Sequence, residues 1–216
     1  MMFLTAHSGA NKTKPNALDY FEAMKRVNVD VLEADIRKVR GELLLTHDRP
    51  YFWQRKKLLP LSYAFDFIKK YDFLLNCDLK KDGYVPDLMD LAESYGVQDR
   101  IIITGSAGTE PDRKAIRFGD WYVNPEYLPE LLPQNADKIR DILKNFGPHA
   151  KGINVSYKKL PDDFLTACEK EKIPVSIFTV NNADLIKKYA AFPAVVNITT
   201  QLADEGLSAL GREVRK

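Results

Sequence analysis

Eight short runs rich in Val, Ile, Leu and Phe alternate with amphipathic stretches along 216 residues, and no linker or change in composition interrupts them. The runs are Met2–Ala6, Val29–Ile36, Phe73–Leu79, Ile101–Thr104, Ala115–Phe118, Gly152–Ser156, Pro174–Val180 and Ala194–Ile198. Most are apolar and short enough to be buried strands. Between them Ala17–Val27, Tyr63–Tyr71, Val85–Tyr95, Ala136–Asn145 and Asp162–Glu171 read as helices. Leu18, Phe21, Met24 and Val27 step along one helical face. Asp162, after Pro161, is the expected cap of its helix, with Phe164, Leu165 and Cys168 turned inward. Asn182 or Asp184 starts the next helix, which carries Leu185, Ile186 and Tyr189. Repeated strand–helix alternation predicts one domain over residues 1–216, an α/β fold of the (β/α)8 TIM-barrel kind; a doubly wound open sheet is the competing arrangement. The fifth run is the weakest, because Ala115–Phe118 sits among Asp, Arg and Gly.

The chain is long enough to bury a substantial core, and 45% hydrophobic with 29% charged residues is ordinary globular composition. A formal net charge of +2 lacks the basic excess of a nucleic-acid binder. Cys77 and Cys168 are too few for a disulfide scaffold and read as small buried residues, which suits a reducing compartment. The Met1–Ala6 start is too short for a signal-peptide core, and no stretch approaches the roughly 20 apolar residues of a membrane span. A soluble cytoplasmic protein is the expectation, and no exposed amphipathic stretch announces a partner.

Barrel active sites lie at the carboxyl ends of the strands. There the chain places His7, then Glu33 and Asp35, then Asp78 and Lys80. Residues two apart on a strand share a face, so Glu33 and Asp35 point together, as do Asp78 and Lys80. Carboxylates crowded on one face repel and call for a cation; three hard oxygen donors suit Mg²⁺ or Ca²⁺. Gly41 sits midway between Asp35 and His47, so a hairpin turning there returns His47 to the barrel mouth near Asp35. Two imidazoles beside a metal can divide the work: one takes a proton from the nucleophile while the other protonates the leaving oxygen. His149, after Gly147-Pro148, reads as a loop residue.

The set His7-Ser8-Gly9, Asn16 opening a helix, Glu33-Ala34-Asp35-Ile36 and Thr46-His47-Asp48 resembles the glycerophosphodiester phosphodiesterase family. Cys77-Asp78-Leu79-Lys80 resembles its third-strand acidic-x-Lys motif, and Ile177-Phe178-Thr179-Val180-Asn181 its seventh-strand motif. Asn197-Ile198-Thr199-Thr200 stands where the closing strand falls. The resemblance implies a barrel enzyme that hydrolyses a small-molecule phosphodiester with a divalent metal. It assigns His7 and His47 to acid/base catalysis, Glu33, Asp35 and Asp78 to the metal, and Lys80 to the phosphate.

The chain departs from that pattern at several positions. Ser8 replaces the family's Arg after the first His and cannot supply its bidentate phosphate contact. Pro15 replaces a Glu before Asn16, Asp78 a longer Glu, and Phe178 a Trp. The insertion between His47 and Asp78 shrinks to Arg49–Leu59. Ser8, Phe178 and Arg49 are therefore expected beside Lys80 on the substrate side. Arg37, Lys38, Arg40, Arg49, Arg55, Lys56 and Lys57 read either as a solvated hairpin or as a phosphate funnel, with Tyr51, Phe52 and Trp53 packing the loop or touching substrate. Thr104–Gly108 reads as a strand-to-loop turn or a weak phosphate cradle. Asn154, Ser156, Thr179 and Asn181 fall near strand ends, and Trp121 is either core or platform. A different head group, such as an inositol or sugar phosphodiester, and a catalytically silent ligand-binding barrel are the alternatives.

Overall fold

The structure, a computed structural model, describes residues 2–51, 53 and 55–213, so Met1 and Phe52 lie outside the described residues. The strands are β1 (Phe3–Ala6), β2 (Val31–Val39), β3 (Glu42–Leu45), β4 (Leu74–Leu79), β5 (Ile101–Gly105), β6 (Asp120–Val123), β7 (Ala150–Ser156), β8 (Val175–Phe178) and β9 (Val195–Thr200). The helices are α1 (Leu18–Met24), α2 (Leu61–Tyr71), α3 (Val85–Tyr95), α4 (Glu110–Ala115), α5 (Ala136–Phe146), α6 (Asp162–Lys170), α7 (Ala183–Ala190) and α8 (Ala203–Ala209). The sheet runs β1-β9-β8-β7-β6-β5-β4-β2 and closes through a parallel β1–β2 pairing, which gives a barrel of eight parallel strands. Strand β3 is the ninth, antiparallel to the outer half of β2. The TIM barrel read from the alternation is thus the fold, and the open sheet is not.

The hairpin forms at the expected place. Arg40 (φ 52°) and Gly41 (φ 84°) both adopt the left-handed region that a two-residue turn between twisted strands requires. Its return leg pairs Leu45 with Ile36, and the amide of Thr46 donates to the Asp35 carbonyl at 2.9 Å. Position 47 is thereby fixed beside the end of β2.

Three expectations need correction. The fifth barrel strand is Asp120–Val123, not Ala115–Phe118: Ala115 ends α4, and Gly119 (φ 78°) turns the chain into the strand. A Cβ at Gly119 would come within 2.7 Å of the Ile101 carbonyl, so only glycine allows this approach to β5. Trp121 is therefore a core residue, fully buried and stacked on Phe146 at 5.4 Å between centroids. Leu18, at the exposed first turn of α1, is 52% accessible, and Tyr20 joins Phe21 and Met24 in the buried stripe instead. Asp162 is the first residue of α6 rather than its cap, and its carboxylate pairs with Lys188 at 2.7 Å. Asn182 does cap α7, accepting from the Leu185 amide at 2.9 Å. Both cysteines are free and buried. Among the described residues no helix is long and apolar enough to cross a membrane.

Strand register sorts the barrel interior by height. Val31, Ile102 and Tyr122 form an apolar plug at the amino-terminal end. One step higher the inward residues become polar: Thr5 donates to Asn197, Asn197 to Ser176, Ser176 to Asn154 and Asn154 to Asn124, at 2.7–3.1 Å. Buried polar side chains linked in this way satisfy one another and form a hydrophilic floor.

Candidate active site

Above that floor lies a cavity of 390 Å³ at the carboxyl ends of the strands. His7, just past β1, Glu33 of β2, Asp78 and Lys80 at the end of β4, and His47 after β3 line one part of it. Asn76, Thr104, Asn124, Asn154, Phe178, Thr179 and Thr199 line the remainder. Six residues expected at the site from sequence, His7, Glu33, His47, Asp78, Lys80 and Phe178, are thus brought together.

Asp35 stands behind this surface, almost wholly buried. Register sets Glu33 beside Asn76 and Asp35 beside Asp78, so the three carboxylates converge with ligand atoms within 4.8 Å of one another. Their hydrogen bonds are divided. Ser8 donates its amide to Glu33 Oε2 at 2.6 Å and its hydroxyl to Asp35 Oδ2 at 3.1 Å. Asn16 donates to the same Asp35 oxygen at 2.6 Å and accepts from the Asp35 amide at 2.9 Å. Thr104 donates to Asp78 Oδ1 at 3.1 Å. The Lys80 ammonium lies 2.6 Å from Asp35 Oδ1 and also bonds Asp78 Oδ2.

These contacts split the titration of the cluster. Burial, and then the neighbouring Asp35 charge, push the Glu33 carboxyl up to about 7. Burial would raise Asp35 as well, but the charge and hydrogen bond of Lys80 hold it below the usual carboxylate range. Burial opposes charge on Lys80, yet Asp78 and Asp35 hold its ammonium above the ordinary lysine value. Glu33 is therefore the carboxylate left short of positive charge. Hard oxygen donors at this spacing, with an under-neutralised member, fit a hard divalent cation.

Each imidazole has one nitrogen occupied. His7 Nδ1 lies 2.8 Å from the Ser8 carbonyl, and His47 Nδ1 lies 2.9 Å from Asp48 Oδ1. A carbonyl or carboxylate partner fixes the proton on Nδ1 and leaves Nε2 of each ring for proton exchange. Arg37 Nε donates to the His47 carbonyl at 2.7 Å and ties that loop to the hairpin.

Ser8 and Arg49 sit elsewhere than expected. Ser8 is fully buried under the carboxylates, outside the cavity lining. Arg49 lies with Lys57 on a neighbouring groove that shares His47 with the cavity. Lys38 pairs with Asp87 and Arg55 with Glu42, so part of the basic run serves the scaffold. Tyr51 and Trp53 are exposed and stacked on each other at 4.8 Å. The Ser106 amide donates to the Leu79 carbonyl at 2.7 Å, so the Thr104–Gly108 segment is a turn with that amide engaged. Asn154 and Thr179 do line the cavity; Asn181 instead donates to Gln201 at 2.9 Å.

Sequence reading missed Asn76, Asn124 and Thr199 as lining residues, and named Thr104 only as part of a turn or weak cradle; the register places all four inside. It also missed Tyr20, whose hydroxyl donates to the Ala6 carbonyl at 2.8 Å and accepts from the Glu33 amide at 3.3 Å.

No protein-family model and no curated protein sequence matches this chain. Solved structures do. An Oleispira antarctica phosphodiesterase, solved with the product sn-glycerol-3-phosphate, superposes with a TM-score of 0.77 at 12% identity, covering 98% of this chain and 97% of that one. A glycerophosphodiester phosphodiesterase from Parabacteroides distasonis gives 0.73 at 18% identity, covering 97% of each. N-(5'-phosphoribosyl)anthranilate isomerase from Pyrococcus furiosus also matches, at 0.58 and 12% identity over 98% of this chain and 99% of that one. Hydrolases and an isomerase share this barrel, so the likeness shows the fold.

Proposed function

We propose that this chain is a phosphoric diester hydrolase that uses a divalent metal, Mg²⁺ or Ca²⁺, and acts on a glycerophosphodiester to give glycerol phosphate and an alcohol. The observation that carries the reading is the convergence of two histidines, Glu33, Asp78 and one lysine on a single cavity of 390 Å³, with Asp35 close behind the other two carboxylates. The similar Oleispira barrel holds sn-glycerol-3-phosphate, which supports the substrate class. Two buried free thiols suit a cytoplasmic setting.

Glu33, Asp35 and Asp78 would hold the metal, which when bound supplies positive charge to the phosphoryl oxygens. Lys80 adds a second cation from the cavity wall. His7 and His47, each with Nδ1 engaged, exchange protons through Nε2: one accepts from the attacking hydroxyl while the other, as imidazolium, donates to the leaving oxygen. The attacking group is water or a hydroxyl of the substrate itself. Ser8 positions Glu33 and Asp35 and leaves the phosphate to other groups. Phe178 offers an aromatic wall to the alcohol.

Phosphorus NMR of the protein with glycerophosphocholine tests this reading. Conversion to glycerol phosphate, stopped by EDTA and restored by Mg²⁺ or Ca²⁺, is the expected result. An unchanged diester signal with folded, metal-supplied protein contradicts it for this substrate. A second reading, a ligand-binding barrel without turnover, draws on the ion pairing that Lys80 already makes with Asp35 and Asp78.

A further inference from the structure

Lys80 lines the cavity, yet its ammonium is turned onto the carboxylates. It lies 2.6 Å from Asp35 Oδ1 and bonds Asp78 Oδ2. Those oxygens belong to two of the three groups that would hold a metal. Lys80 is also the only lysine or arginine lining this cavity among the described residues. Both tasks, neutralising buried carboxylates and meeting a phosphate, thus fall on one side chain. Two of the three ammonium donors are spent on Asp35 and Asp78, so at most one is left for a phosphate in the cavity.

We propose that Lys80 is the resident counter-ion of the carboxylate cluster, competing with the divalent ion for Asp35 and Asp78, and that metal binding releases it to the phosphate. This rests on the metal-dependent reading above. An ammonium and a divalent cation on the same carboxylates repel strongly in a site shielded from water. The lysine stem is flexible and the side chain keeps 17% exposure, so it has somewhere to go. Glu33, which makes no ion pair with Lys80, offers the arriving ion its first ligand. The consequence is an order of binding: phosphate ligands bind well only after the metal, and by linkage they tighten metal binding in turn. Ser8 sharpens this arrangement, because the phosphate-binding arginine expected at its position is absent and Lys80 has no substitute in the cavity.

The test is calorimetric titration of Mg²⁺, and separately Ca²⁺, into the full chain without substrate, comparing wild type with Lys80→Gln and Lys80→Met. The expected result is at least tenfold tighter metal binding by both variants, together with a lower melting temperature of the metal-free variants. Equal or weaker binding by folded variants, with wild type binding metal normally, overturns the inference and leaves the hydrolase reading standing. No metal binding by any of the three proteins overturns the inference and the metal-dependent reading together. Should the variants fail to fold, NMR of lysine-labelled wild type decides. The Lys80 ε-methylene signal, assigned by through-bond correlation to its backbone, shifts on adding Mg²⁺ if the ammonium is released, and an unmoved signal in the metal-bound protein overturns the inference.

Discussion

Asn16 holds Asp35 at both ends, donating its side-chain amide to Oδ2 at 2.6 Å and accepting from the Asp35 backbone amide at 2.9 Å. The residue adopts φ 57°, a conformation that Asn tolerates better than most side chains. Replacing Asn16 by Ala leaves the buried Asp35 amide unpaired and should cost about 1–3 kcal/mol of stability. Asn16→Asp sets a second carboxylate against Asp35 and should be worse still. Thermal melts of the metal-free proteins check the order wild type, then Asn16→Ala, then Asn16→Asp.

Glu33 makes the stability of the metal-free protein depend on pH. Its folded-state carboxyl is raised from 4.5 to about 7 by burial, by Asp35 and by Asp78, with His7 opposing. The folded state therefore holds a proton that the unfolded chain has already lost between these values. The stabilisation is complete below about 4.5 and is lost as pH rises through about 7. Its size is on the order of 3 kcal/mol. Asp35, whose carboxyl Lys80 holds below the usual carboxylate range, gives the opposite dependence, but only at pH below the window of Glu33. Urea melts of metal-free protein between pH 4.5 and 7.5 should show the decline, and Glu33→Gln should flatten it.

Gly105 turns β5 away from the site at φ 79°, where a Cβ would lie 2.3 Å from the Leu79 carbonyl and 2.6 Å from Asp78 Oδ1. Gly105→Ala must push β4 or the Asp78 carboxylate aside. A fall in stability of about 2 kcal/mol or more is expected, with loss of metal binding even where the variant folds. A melt paired with metal calorimetry reads both.

Basic residues after β2 should differ in their effects. Arg49 and Lys57 share a groove with His47, whereas Lys38 and Arg55 are paired with Asp87 and Glu42. Arg49→Ala and Lys57→Ala should raise KM for an anionic diester roughly two- to tenfold with kcat little changed, as lost uniform binding does. Lys38→Ala should leave KM alone. Steady-state kinetics of the three variants separates a phosphate funnel from a solvated hairpin.

The barrel was legible because buried parallel strands leave apolar runs, and because Arg40-Gly41 can form the turn that returns His47. The strand at Asp120–Val123 was not, since its inward and outward sides carry Asp, Trp and Tyr that mimic a loop, and Ala115-Ile116 next door looks more like a strand. Glu33, Asp35, Asp78 and Lys80 stood out as candidates because they fall at predicted strand ends with two-residue spacing. Asn76 and Asn124 did not, because their place depends on register between strands distant in sequence. Ser8 misled for a related reason: position after His7 suggested the substrate side, while the turn into the following residues buries its hydroxyl against Asp35.

The most direct test of the central claim is hydrolysis of a chromogenic phosphodiester by wild type, His7→Ala and His47→Ala, each with EDTA and with Mg²⁺ or Ca²⁺ restored. Metal-dependent turnover by wild type and a loss of at least 100-fold in each variant, the scale of general acid–base catalysis, are expected. Turnover that survives EDTA, or that either histidine variant retains at the wild-type rate, would contradict the claim.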